Sequence, residues 1–141
     1  MEDSRKLQVL QNKTLRLRTG SNIYTPTTTL LAQCNELSVN QLTAYHTLLS
    51  VHRAVRGGNP KAVSNKLILK RLKDSEIFPL RQTDTIEVKK ANLNITRSGF
   101  CYRGSVLWNS MPLSLREESK YCKFKRNIKK WIFNSISPKP Q

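Results

Sequence analysis

The stretch SVNQLTAYHTLLSVHRAVRGG, residues 38–58, decides the fold class. Val39, Leu42, Tyr45, Leu48 and Leu49 fall on one broad face at helical spacing, Ser38 is placed to cap the start, and Gly57-Gly58 stop the run. Towards the N-terminus, Leu7, Leu10, Thr14 and Leu17 recur at i, i+3, i+7 and i+10, and Gly20 reads as a stop, which predicts an amphipathic helix over residues 3–19. Thr25-Pro26 opens a short helix through Leu30, Leu31 and Cys34, with proline at its favoured first helical position. Beyond the glycines, Asn59-Pro60 starts a fourth helix with Val63, Leu67 and Leu69 apolar and Lys61, Lys66, Lys70, Arg71 and Lys73 distributed around it.

From Asp74 to about Arg97 the pattern changes. Phe78-Pro79 interrupts any helix, and Thr85, Ile86, Val88, Leu93 and Ile95 alternate with polar or charged residues, which suits extended chain or a hairpin. Ser98 is placed to cap a short helix carrying Phe100, Tyr102, Val106, Leu107 and Trp108, which Met111-Pro112 ends. The last helix runs from about Ser119 to Ile136, with Tyr121, Phe124, Ile128, Trp131 and Ile132 on one side. The expected fold is mostly α, a small bundle of about five to six helices with a short extended or hairpin segment near residues 77–97. An N-terminal helical lobe (1–73), a C-terminal lobe (74–137) and a frayed tail (138–141) together make one compact domain.

The chain has 141 residues, 25 Lys+Arg against 9 Asp+Glu, and a net charge of +16. That size excludes a large multidomain enzyme, and the charge makes an acidic partner the first to consider. Hydrophobic residues are 38%, and two Trp, four Tyr and four Phe leave enough for a modest core, so a disordered basic tail is not expected. The first twenty residues mix charges with leucines and do not read as a secretory signal, and no window is apolar enough to span a bilayer. Cys34, Cys101 and Cys122 are odd in number and widely spaced, which suits a reducing compartment. The expected location is therefore intracellular, in cytoplasm or nucleus, and not secreted.

No catalytic residues are expected, and no metal or cofactor. His46 and His52 are six apart and point about 120° away from each other on a helix, whereas an i, i+4 pair would converge on one ion. The nine acids never pair closely on an apolar background, and phosphate loops and nucleophile elbows are missing.

The cationic pattern carries more. In YCKFKRNIKKWIF, residues 121–133, Lys123, Lys125, Arg126, Lys129 and Lys130 are interleaved with Tyr121, Phe124 and Trp131. Lysine and arginine suit phosphates, and an exposed aromatic would stack on an unpaired base, although Phe124 and Trp131 also lie at core spacing. Arg5, Lys6, Lys13, Arg16 and Arg18 repeat the theme beside the leucines of the first helix. These two basic sets are the candidate nucleic-acid-binding residues. A basic amphipathic helix also fits an anionic membrane surface.

Several segments in order resemble one family. KLQVLQNKTLRLRTG (6–20) is similar to the "LQxLQNRAxRxITG" helix beyond the polymerase core of non-LTR, LINE/jockey-like retrotransposon reverse transcriptases. Pro26, Leu30-Leu31, Leu37-Ser38-Val39, His46, Gly57 and Pro60 follow that family's order. Phe100-Cys101-Tyr102-Arg103-Gly104 and then Leu107-Trp108-Asn109-Ser110-Met111-Pro112 resemble "SFxYxGxxLWNSLP", and Leu115 with the Phe124–Lys130 helix completes the likeness. It covers about residues 6–133.

The resemblance implies the post-thumb C-terminal region, from a short, truncated or domesticated element-derived frame. No YADD-like aspartate turn, endonuclease lobe or zinc knuckle matches, so no polymerase activity is expected of the chain itself. What it implies is a non-catalytic module gripping RNA, ahead of DNA, or an RNA–DNA duplex through backbone contacts, with the polymerase core of the same element as a further partner. Two alternatives are a structural or protein-interaction fragment that packs on a polymerase thumb, and a binder of anionic membrane surfaces. Trp108 is expected to anchor the core, and Asn109 and Ser110 to satisfy backbone groups at the helix end.

Overall fold

The computed structural model describes residues 2–57, 65, 67, 69–70, 85–88, 93, 97 and 99–135. They are mostly helical: α1 (Glu2–Thr19), α2 (Thr27–Cys34), α3 (Val39–Val55), α4 (Phe100–Ser110), α5 (Leu113–Arg116) and α6 (Tyr121–Ser135), with strands β1 (Leu69–Lys70) and β2 (Thr85–Ile86) between α3 and α4. No helix among the described residues is long and apolar enough to cross a membrane.

Local chemistry sets several helix ends. Gly20 adopts φ +63° after α1, and Ser21 N–H reaches back to the Arg16 carbonyl at 3.2 Å, the 6→1 closure that a left-handed residue permits. Asn35 does the same for α2 at φ 52°, with Glu36 N–H on the Leu31 carbonyl at 3.0 Å. Ser38 caps α3 reciprocally: Ser38 N–H donates to Gln41 Oε1 at 2.9 Å, and Gln41 N–H to Ser38 Oγ at 3.4 Å. Two expected caps shift by one residue. Pro26 precedes α2 as its N-cap instead of opening it, and Gly99, in extended conformation, precedes α4 in place of Ser98. The Gly99 carbonyl takes the first bond of that helix, from Arg103 N–H at 3.1 Å.

The chain forms two compact units that divide at Thr43/Ala44. The division falls inside α3 because its first turn is held by side chains of α1, whereas the remainder carries a separate core.

In the first unit the packed face of α1 differs from the expected one. Leu15, buried, meets Leu30 and Leu31 of α2, with Cys34 against them. Around that apolar cluster runs a polar ladder. Gln8 Nε2 donates to Gln11 Oε1 (2.8 Å) and Asn12 Oδ1 (3.0 Å), Gln11 Nε2 to the Leu37 carbonyl (2.8 Å), and Asn12 Nδ2 to Thr27 Oγ1 (2.9 Å). Val39 N–H, in the first turn of α3 where helix geometry offers no intrahelical acceptor, donates to Gln8 Oε1 at 3.0 Å. Leu7, Leu10 and Leu17 stand 54%, 58% and 86% exposed, so the apolar stripe is not the core face of α1.

In the second unit, Tyr45, Leu48, Leu49, Val51 and Ala54 of α3 are buried, as are Trp108 and Met111 at the end of α4 and Phe124, Ile128 and Ile132 of α6. His52 lies among their rings, stacked on Phe124 at 4.1 Å, with Trp108 6.2 Å from Phe124. Gly104 marks a close helix approach: a Cβ there would meet Val51 Cγ2 at 2.8 Å.

β1 and β2 pair antiparallel, Leu69 opposite Ile86 and Lys70 opposite Thr85. The fourth helix expected over residues 59–73 therefore does not include Leu69-Lys70. Leu67-Ile68-Leu69 is a contiguous apolar run, which periodicity alone cannot assign to helix or strand. The other residues of that helix, except 65 and 67, and the tail 138–141 lie outside the described residues, as does most of the segment 77–97.

Candidate nucleic-acid interface

α6 divides sharply by side. Phe124, Ile128 and Ile132, spaced i, i+4 and i+8, are fully buried, while Lys123, Lys125, Arg126 and Lys130 are exposed and Lys129 is half-buried. The helix carries five cations and no acid, and none of the five has an ion-pair partner among the described residues. From Lys123 to Lys130 the helix rises roughly 10 Å, a length over which duplex DNA presents about six phosphate charges.

Phe124 is withdrawn from any contact with bases, because it is closed inside the core against His52. Tyr121 and Trp131 are half-buried. Tyr121 is engaged by a cation from another helix: the Arg53 guanidinium of α3 lies 4.5 Å above its ring. Arg53, itself exposed, thus adds a cation to the first turn of α6. Sequence reasoning missed it, since sixty-eight positions separate it from Tyr121 and its only local signal was a basic residue in the last turn of α3.

The loop entering α6 is held from α3. His52 Nε2 lies 2.8 Å from the Glu118 carbonyl, and Arg56 Nη2 donates to the Arg116 carbonyl at 2.8 Å. A carbonyl only accepts, so the His52 proton sits on Nε2 and Nδ1 is bare. Nδ1 is buried without a partner, and protonating it would put an unpaired N–H in the core. Burial accordingly pushes the His52 pKa below its ordinary value of 6.5, and the Arg56 charge adds to the shift, against an opposing pull from Glu118. Burial also raises the Tyr45 phenol, with Tyr121 contributing.

The N-terminal candidates belong to the first unit and fare unevenly. Arg5, Lys6 and Lys13 are exposed on α1. Arg16 is half-buried, its Nη2 donating to the Thr25 carbonyl at 3.3 Å and its Nε buried without a partner, so it closes the 20–26 turn. Arg18 forms a 3.5 Å ion pair with Glu36. Among the described residues no cluster of His, Cys, Asp or Glu is arranged to hold a metal ion; His46 is exposed on α3, whereas His52 is buried.

The segment resembling LWNSLP has a structural role in the second unit. Trp108 is fully buried, and Ser110 Oγ donates to the Leu107 carbonyl at 2.8 Å. Asn109 does not serve its own helix end. Its Oδ1 accepts from Ile86 N–H at 2.9 Å and its Nδ2 donates to the Ile86 carbonyl at 2.8 Å, a two-point clasp on β2.

In comparisons with known proteins, no family model, no curated protein and no solved structure matches the chain.

Proposed function

We propose that the protein is a non-catalytic nucleic-acid-binding module that grips RNA, or an RNA–DNA duplex, through backbone phosphates. The observation that carries this reading is the α6 surface, where exposed cations without acids lie on a helix anchored from behind by Phe124, Ile128 and Ile132. Anchoring matters because cations on a folded helix meet phosphates without first being ordered. The net charge of +16 supplies long-range attraction. The resemblance of residues 6–133 to the region following the thumb of LINE-type reverse transcriptases supports the same reading, and makes an element-derived origin part of the proposal.

The test is a binding titration against a short RNA at several salt concentrations. With five or more cations engaged, raising salt from about 50 to 200 mM weakens binding roughly a hundredfold or more. Replacing Lys125 and Arg126 by alanine lowers the slope of log affinity against log salt by about 1.4–1.8, with no loss of helical signal. A salt-insensitive affinity, or none tighter than about 100 μM at low salt, overturns the reading.

A second reading is favoured by a specific observation. Leu7, Leu10 and Leu17, exposed on α1, fit a fragment that docks onto another polypeptide, the polymerase core of the same element being one such partner. The first unit provides this surface and the second provides α6, so the two readings are separable by mutation.

A further inference from the structure

The exposed stripe of α1 has the register of a coiled-coil seam. With Leu7 at position a, Leu10 falls at d, Thr14 at the next a and Leu17 at the next d. On a helical wheel the stripe lies about 140° from the face formed by Gln8, Gln11, Asn12, Leu15 and Thr19, which packs within the first unit, and Gln11, held by the Leu37 carbonyl, occupies an e position beside the seam. Thr14 does not interrupt it, because Thr14 Oγ1 donates to the Leu10 carbonyl at 3.1 Å and its hydroxyl is satisfied within the helix. Asp3, at the preceding d position, marks its N-terminal limit.

The flanks identify the occupant. Lys6 and Lys13 fall at g positions and Arg18 at an e position, all exposed. A second copy of the chain is a poor match in either direction. Parallel pairing brings Lys13 against Arg18 of the other copy, and antiparallel pairing sets lysines against lysines and arginine against arginine. Two chains of net charge +16 also repel at long range. A helix with leucine-like residues along its seam and glutamate or aspartate at the facing e and g positions is complementary to both the apolar stripe and its positive borders.

We infer that α1 is a docking helix for an acidic amphipathic helix of a partner protein, which lies along Leu7, Leu10, Thr14 and Leu17 with its carboxylates against Lys6, Lys13 and Arg18. This rests on the second reading above, deepening it by naming the chemistry of the partner. Because Arg18 already touches Glu36 and Lys6 is not without a partner either, the incoming carboxylates at those two positions exchange for existing interactions.

The test uses the full chain and three fluorescent synthetic peptides. One is a heptad peptide with leucine at a and d and glutamate at e and g; one is its sequence-scrambled counterpart; one carries lysine at e and g. The acidic heptad peptide is expected to bind at least about tenfold more tightly than the scramble. The variant Leu10→Ser/Leu17→Ser, at exposed positions, is expected to reduce its affinity to the level of the scramble while circular dichroism stays unchanged.

Equal binding of the scramble, or undiminished binding by the double variant, overturns the proposal. If the lysine peptide binds as tightly as the acidic one, the charge assignment fails while docking on α1 stands. If neither heptad peptide binds, both fail. A dimer in sedimentation equilibrium that the double variant abolishes replaces the acidic helix with a second copy.

Discussion

Asn109 holds both backbone groups of Ile86, so its donor and its acceptor are each essential. In Asn109→Asp the Ile86 carbonyl faces a carboxylate oxygen in place of an N–H. We expect a loss of about 1–3 kcal/mol, read from urea unfolding followed by tryptophan fluorescence. A variant as stable as the parent would show that the clasp contributes nothing. His52 gives a pH signature instead. Its pKa is lowered in the fold, so the unfolded chain takes up its proton first as pH falls. The His52 contribution is therefore complete above the ordinary value of 6.5 and is lost progressively as pH falls below it towards the folded value. Urea midpoints measured through this window should decline in the parent and decline less in His52→Gln, whose amide retains a donor for the Glu118 carbonyl.

At the scale of elements, the approach of α3 and α4 depends on a missing side chain. Alanine is favoured over glycine in a helix by about 1 kcal/mol, yet a Cβ at position 104 would stand 2.8 Å from Val51 Cγ2. Overpacking of this kind costs about 1–3 kcal/mol, so Gly104→Ala is expected to lower the unfolding midpoint, and a rise in it would show that Val51 yields freely. The same contrast between local and tertiary effects explains what could be read from the sequence. The ends of α1 and α3 were legible at Gly20, Ser38 and Gly57 because capping acts within a few residues. The division of α6 into Phe124, Ile128 and Ile132 against its lysines was legible because one helix carries both faces. The buried face of α1 was not, because Gln8, Gln11 and Asn12 are held by partners up to thirty-one positions away, and three of the helix's four leucines lie on the other side. Arg53 was hidden for the same reason, since only the fold brings it over Tyr121.

For the whole molecule, the charge of +16 acts against the fold as well as for the proposed binding. Like charges crowd together on folding, and added salt screens them over about 10 Å at 0.1 M. Thermal midpoints should rise by a few degrees between low and moderate sodium chloride, the opposite of the trend proposed for RNA affinity; midpoints that fall with salt would mean that attractive pairs dominate. The small sheet has a further consequence at this scale. A strand with a bare flank can recruit a strand from another molecule, and a two-residue ribbon has little bulk with which to shield itself. Since Asn109 occupies both hydrogen-bonding groups of Ile86, β2 is sealed on that side by a side chain imitating a neighbouring backbone. At Ile86, then, one side-chain amide stands where the backbone of a further strand would have to bond.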